Sequence, residues 1–127
     1  MKIRELHELL EEKGIDFALF YSAGMSANPN FQYFSGFNGP GALLIGKEAF
    51  LLVPKMEEER ARKANIRNVY PLDKKRLFES VSEIVKKKRL RHKKIGIDRN
   101  SFTLNAYKGF RKCFKSKIAD VSGYCAK

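Results

Sequence analysis

The stretch GALLIGKEAFLLVP, residues 41–54, constrains this chain most. Two apolar runs, 42–45 and 49–53, flank Gly46-Lys47-Glu48. A three-residue break of this kind, with glycine where a positive φ is useful, predicts an antiparallel hairpin. Neither run alternates apolar with polar residues, so neither predicted strand has a wet face. A strand covered on both faces belongs inside a sheet with helices above and below. The rest of the chain must therefore supply two layers and further strands.

It has the pieces to do so. Residues 2–13 put Ile3, Leu6, Leu9 and Leu10 on one helical face with glutamates mostly opposite. Gly14 suits the left-handed position just past the helix. Residues 15–21 are apolar except for Asp16, which again reads as a central strand. After a small, polar loop, Pro29 holds Asn28 extended, and Asn30 is placed to cap a short helix through Phe34, with Gly36 at its exit. Phe31, Tyr33 and Phe34 read as core, whereas Phe37 lies past the glycine in a loop. Gly39-Pro40-Gly41 is no phosphate cradle: Pro40 has no N–H, no GK[ST] follows, and a strand rather than a helix comes next.

Beyond Pro54, residues 55–64 carry three glutamates early and cations late, an order that complements a helix dipole. Three consecutive glutamates point in different directions and cannot converge on one ion. Residues 68–70 form a short strand closed by Pro71. Asp73 is placed to cap a helix to about Lys88, with Phe78, Val81 and Val85 on one side. Its tail, KKKRLRHKK, is the densest basic run, and the helix C-terminus accounts for it. Residues 95–98 are a strand whose inner Gly96 implies close backbone approach. Ser101 or Thr103 caps a last helix through Phe114 that buries Leu104, Tyr107, Phe110 and Phe114. Residues 117–121 are a final strand, and the ending SGYCAK looks cut. The fold class expected is α/β: three layers, α/β/α, around a mixed sheet of five to six strands, one domain over residues 1–127.

Chemistry is sparse. His7 and His92 have no partner at ligand spacing, and no HExxH or other paired motif occurs. Ser35 stands in FSGF, not GxSxG. Asp16, Asp73, Asp98 and Asp120 sit at element ends, where capping and turns explain them. We assign no catalytic residue and no metal ligand to the chain. Cys113 and Cys125 form no CxxC pair, and two cysteines are few for a secreted scaffold, so both read as reduced thiols in a cytoplasmic protein. No apolar run spans a bilayer, so no membrane partner is expected. There are 26 Lys and Arg against 14 Asp and Glu, a net charge of +12. That balance suits an acidic partner or nucleic acid, but the cations are scattered and lack interleaved aromatics. Nucleic acid is therefore not the expected partner.

Taken in order, RELHELLEEKGID, FALFYS, NFQYFSGF, GALLIGKEAFLLVP, EEERARK and IGIDRNSFTLNAYKGF resemble the N-terminal domain of the creatinase, prolidase and Xaa-Pro aminopeptidase family. The resemblance covers nearly the whole chain. It implies a noncatalytic three-layer domain of a longer Xaa-Pro dipeptidase or aminopeptidase. In that family a C-terminal catalytic domain holds two divalent metal ions (Mn, Co or Zn), and none of its ligand motifs is found here. It further implies a homodimer, Xaa-Pro peptides as the parent's substrates, and a substrate-bounding role for the loop Phe37, Asn38, Gly39 and Pro40. Non-enzymatic relatives, such as the corresponding domain of the large FACT histone-chaperone subunit, leave a second reading open. In it the chain is a pseudo-peptidase module that binds an acidic partner or nucleic acid. A creatinase-like parent is a third.

Overall fold

The computed structural model describes residues 3–22, 29–72, 77–99, 102–121 and 123. The hairpin of the sequence reading is β2 (Gly41–Ile45) and β3 (Ala49–Pro54), paired antiparallel with Leu43 opposite Leu51. All of β2 and all of β3 except Ala49 are buried. β1 (Phe17–Ser22) pairs antiparallel with β2 and parallel with β5 (Lys94–Ile97). β4 (Asn68–Leu72) and β6 (Lys117–Asp120) add in parallel at the two edges. The mixed six-stranded sheet has the order β4-β3-β2-β1-β5-β6, and β2 alone runs against the other five.

Side-chain alternation sends every second residue to one of two cores. Ala18, Phe20, Leu43, Ile45, Leu51 and Val53 face α1 (Ile3–Glu12), α2 (Pro29–Ser35) and α3 (Glu58–Arg62). Phe17, Leu19, Leu44, Phe50 and Leu52 face α4 (Leu77–Lys87) and α5 (Leu104–Cys113). The three-layer α/β/α architecture follows from strands apolar on both sides. The second core is the more aromatic. Tyr21, Phe78, Phe102, Phe110 and Phe114 form a chain of ring contacts with centroids 5.1–6.0 Å apart. Such pairs add about 0.5–1.5 kcal/mol each beyond their burial.

Helix ends explain how the layers are joined. After α1, Gly14 adopts φ 71°, its N–H bonds to the Glu11 carbonyl, and the Ile15 N–H bonds back to Leu10. This is the double closure of a Schellman motif, as the glycine predicts. α4 ends the same way: Leu90 N–H to Val85 and Arg89 N–H to Lys86. There the left-handed position (φ 53°) is held by Arg89, not glycine. Gly36 exits α2 at φ 68°. Gly96 meets its expectation of close approach, since a Cβ there would lie 2.5 Å from Val121 Cγ1. Thr103 caps α5, its Oγ1 accepting from the Ala106 N–H at 3.1 Å.

Several expectations need correction. α2 begins at Pro29, so Asn30 lies within the helix and is not its cap. Proline at the start of a helix sacrifices an N–H that has no partner anyway. Residues 55–57 form a 3-10 turn, and α3 starts only at Glu58. Leu104 is 70% exposed: α5 buries Phe110 as expected, but Ala106 rather than Leu104 on its first turn. The break at Gly46 needs no positive φ; a Cβ there would instead crowd Asp16 and Phe17 at 3.3 Å. The expected caps Asp73 and Ser101 lie outside the described residues.

Candidate functional site

Parallel strands collect their C-terminal ends on one edge of the sheet, where α/β folds place ligands. Here that edge carries Ser22, Pro54, Leu72 and the residues after β5, with the entry to β2 among them. The chain leaves β1 toward α2 on the first face and leaves β5 toward α5 on the second. The topological switch point therefore lies between β1 and β5. It is crossed by a side-chain bond: Asn30 Nδ2 donates to Asp98 Oδ2 at 2.9 Å, and Asp98 is 2% exposed. Asp98 thus ties the first turn of α2 to the end of β5 and does not merely shape its own turn. Asp16 is similar, its Oδ2 accepting from the backbone N–H groups of Lys93 and Lys94 at 2.8 and 3.1 Å. Asp120 Oδ1 accepts from the Arg99 N–H. These acids clamp segments distant in sequence.

The loop between α2 and β2 forms the neighbouring part of this edge. Ser35, fully buried, donates its hydroxyl to the Phe31 carbonyl at 2.7 Å and accepts the Phe37 N–H at 3.0 Å. That pair of bonds turns the chain sharply and sends the Phe37 ring down into the first core, 2% exposed. The expectation that Phe37 stands free in the loop is corrected: its ring is core. Above it lies Arg60 of α3, with its guanidinium carbon 4.7 Å from the ring centroid. Arg60 Nη1 donates to the Asn38 carbonyl at 3.1 Å, and its Nε and Nη2 both bond Glu57 Oε2. Arg60 is thus a strap over the loop, held in place by Glu57. A Cβ at Gly39 would lie 2.8 Å from the Phe37 ring and 2.9 Å from Arg60 Nη2, so a side chain there would push the strap or the ring aside. Asn38 is exposed, and Gly39 and Pro40 are half-buried.

The four predicted site residues therefore share one loop but differ in kind: one anchor, one exposed tip and two tightly fitted backbone positions. Beside them Tyr21, Ser22, Pro40, Gly41, Pro54, Leu72 and Leu77 line a small cavity of about 180 Å³. That is below the usual range for a small-molecule site. Sequence reasoning missed Arg60, reading it as a dipole-matched helix cation. The i,i+3 spacing of Glu57 and Arg60 was the available signal.

No three or more His, Cys, Asp or Glu side chains among the described residues are grouped so that they could hold a metal ion. His7 pairs with Glu11 at 3.0 Å, and the His92 ring packs edge-on to Phe114. Cys113 is a half-buried free thiol. Burial, aided by Glu79, pushes its pKa above the ordinary thiol value against the opposing pull of Lys86 and Lys112. Such a thiol lacks the thiolate character of a nucleophile. No helix among the described residues is long and apolar enough to cross a membrane.

Strand order and layering define a three-layer α/β/α domain with a mixed six-stranded sheet. The chain belongs to the Creatinase/Prolidase N-terminal domain family, whose model matches residues 2–127. Its fold is shared by an X-Pro aminopeptidase from Thermotoga maritima MSB8 (TM-score 0.84, 21% identity), over 97% of this chain and 34% of that one. An Xaa-Pro dipeptidase from Bacillus anthracis matches with a TM-score of 0.78 and 22% identity, over 95% of this chain and 33% of that one. The N-terminal domain of an Xaa-Pro dipeptidase from Lactobacillus brevis superposes over 98% of this chain and 97% of its own length (TM-score 0.82, 12% identity). No curated protein matched the chain. This chain spans about a third of the two larger peptidases.

Proposed function

We propose that the chain is the noncatalytic N-terminal domain of a metal-dependent Xaa-Pro dipeptidase or aminopeptidase. One observation carries this reading: nearly all of the chain superposes on one third of peptidases with that printed specificity. The other two thirds of such a protein would hold the catalytic domain, and this domain's first partner is that one. The two divalent metal ions (Mn, Co or Zn) of such a peptidase would belong to that catalytic domain; among the described residues here no three or more His, Cys, Asp or Glu are grouped to hold one. The working protein is a cytoplasmic homodimer, and Xaa-Pro peptides reach this domain only at its rim.

The rim in question is the loop of residues 37–40. Asn38 presents its side chain outward while Arg60, Phe37 and Gly39 fix the backbone beneath it. A fixed polar tip suits a wall that limits substrate length, since it costs little ordering when the substrate arrives. In the full-length protein, Asn38→Ala is expected to change KM or the preference for dipeptides over longer Xaa-Pro peptides, with kcat on the dipeptide largely kept. Kinetics unchanged on both substrate lengths would remove the loop from the substrate boundary. Phe37→Ala is a poorer probe, because it empties core volume.

A further inference from the structure

The basic run of residues 86–94 does not stay with its own helix. α4 and α5 follow β4 and β5, two of the five strands of the mixed sheet that run in one direction, so their C-termini emerge at the same edge, opposite the rim described above. Two loops leave them side by side. The Lys117 N–H donates to the Lys93 carbonyl at 2.9 Å, the Ser116 hydroxyl donates to the His92 carbonyl, and Arg111 Nη1 donates to the Ser116 carbonyl at 2.7 Å. Lys94 and Lys117 are direct neighbours in the β5–β6 register. Between the loops runs a groove of about 850 Å³ whose lining includes Arg91, Lys93, Lys94, Lys115 and Lys117 and contains no carboxylate.

Helix dipoles explain Lys86, Lys87, Arg111 and Lys112, which lie in the last turns. They do not explain these five, which lie beyond the helices. None of the five has a carboxylate of the described residues within salt-bridge distance. Asp16, the acid tied to this turn, already accepts two backbone N–H groups. Placing Lys94 opposite Lys117 costs stability, and the groove holds that repulsion on a hydrogen-bonded frame.

From this juxtaposition we infer that the groove is a docking surface for the phosphate backbone of double-stranded nucleic acid, bound without regard to sequence. The inference is independent of the peptidase reading. A duplex presents one negative charge about every 1.7 Å along its axis, a density that matches closely set cations. A single strand would call for exposed rings on which bases stack, and Phe114 here is 2% exposed.

The test is fluorescence anisotropy of a labelled 20-base-pair DNA duplex (length chosen as roughly two helical turns) titrated with the 127-residue chain in low salt. Binding is expected, weakening steeply as salt rises. The charge-reversed variant R91E/K93E/K115E is expected to lose at least about tenfold in affinity, and its log–log salt slope to fall by about two to three. The control K55E/K63E/R67E makes the same change in net charge at exposed sites near the β3–β4 edge. It is expected to lose less than about threefold. An RNA duplex should bind like the DNA one. R91Q/K93Q/K115Q, with folding checked by circular dichroism, replaces the reversal if that variant does not fold. Equal losses in groove and control variants would overturn the proposal, as would no binding at low salt. Capture of polyglutamate without capture of either duplex would assign the groove to an acidic protein and likewise overturn it.

Discussion

Single residues decide how the loop of residues 36–40 is held, and Ser35 matters most. Its hydroxyl closes two backbone bonds in a fully buried place. Ser35→Ala leaves the Phe37 N–H without its partner and is expected to cost about 1–3 kcal/mol, measured by urea unfolding. A loss below the error of that measurement would mean the turn does not depend on the hydroxyl. Arg89 offers the opposite case. It holds a left-handed φ of 53° where α1 uses Gly14. Arg89→Gly should therefore stabilise the chain by about 1 kcal/mol, seen as a melting temperature higher by a few degrees. A lower melting temperature would show that the arginine side chain does more for the fold than its backbone strain costs. At this scale the sequence was partly legible. Gly14, Gly36 and Thr103 announce their roles because each acts on its own neighbours. Asn30 and Asp98 do not, since a bond across 68 residues leaves no local spacing to read. Phe37 misleads for a related reason: position past a glycine says loop, whereas the Ser35 bonds turn its ring into the first core and Arg60, from another helix, covers it.

At the scale of elements, the hairpin and β1 were legible because apolar runs without alternation admit one physical solution, burial on both faces. The edge strands are where the fold carries unresolved cost. Lys94 and Lys117 sit side by side in a parallel pair. Lys117→Glu is expected to raise the melting temperature at low salt, by the equivalent of about 0.2–1 kcal/mol. The gain should shrink as salt screens the pair. A gain that persists undiminished at high salt would mean the effect is not electrostatic. α5 was less legible. The predicted face holds at Phe110 and Phe114, which are buried, and at Tyr107, which packs against the second core, but it fails at Leu104, whose place in the core is taken by Ala106.

For the whole molecule, the order of motifs carried more than any one of them. Six weak segments in the right sequence pointed to one family, and the match over residues 2–127 bears that out. The candidate site was less legible than the fold, because its loop is built by contacts between α2, α3 and β2 that no segment contains alone. The central claim is that this domain bounds and supports chemistry carried out elsewhere in a longer peptidase. Proline release from an Xaa-Pro dipeptide by the purified 127-residue chain, with Mn²⁺ or Co²⁺ added, tests it most directly. The account predicts no release above the metal-only control. Turnover that is removed by a chelator and restored by the metal would contradict it.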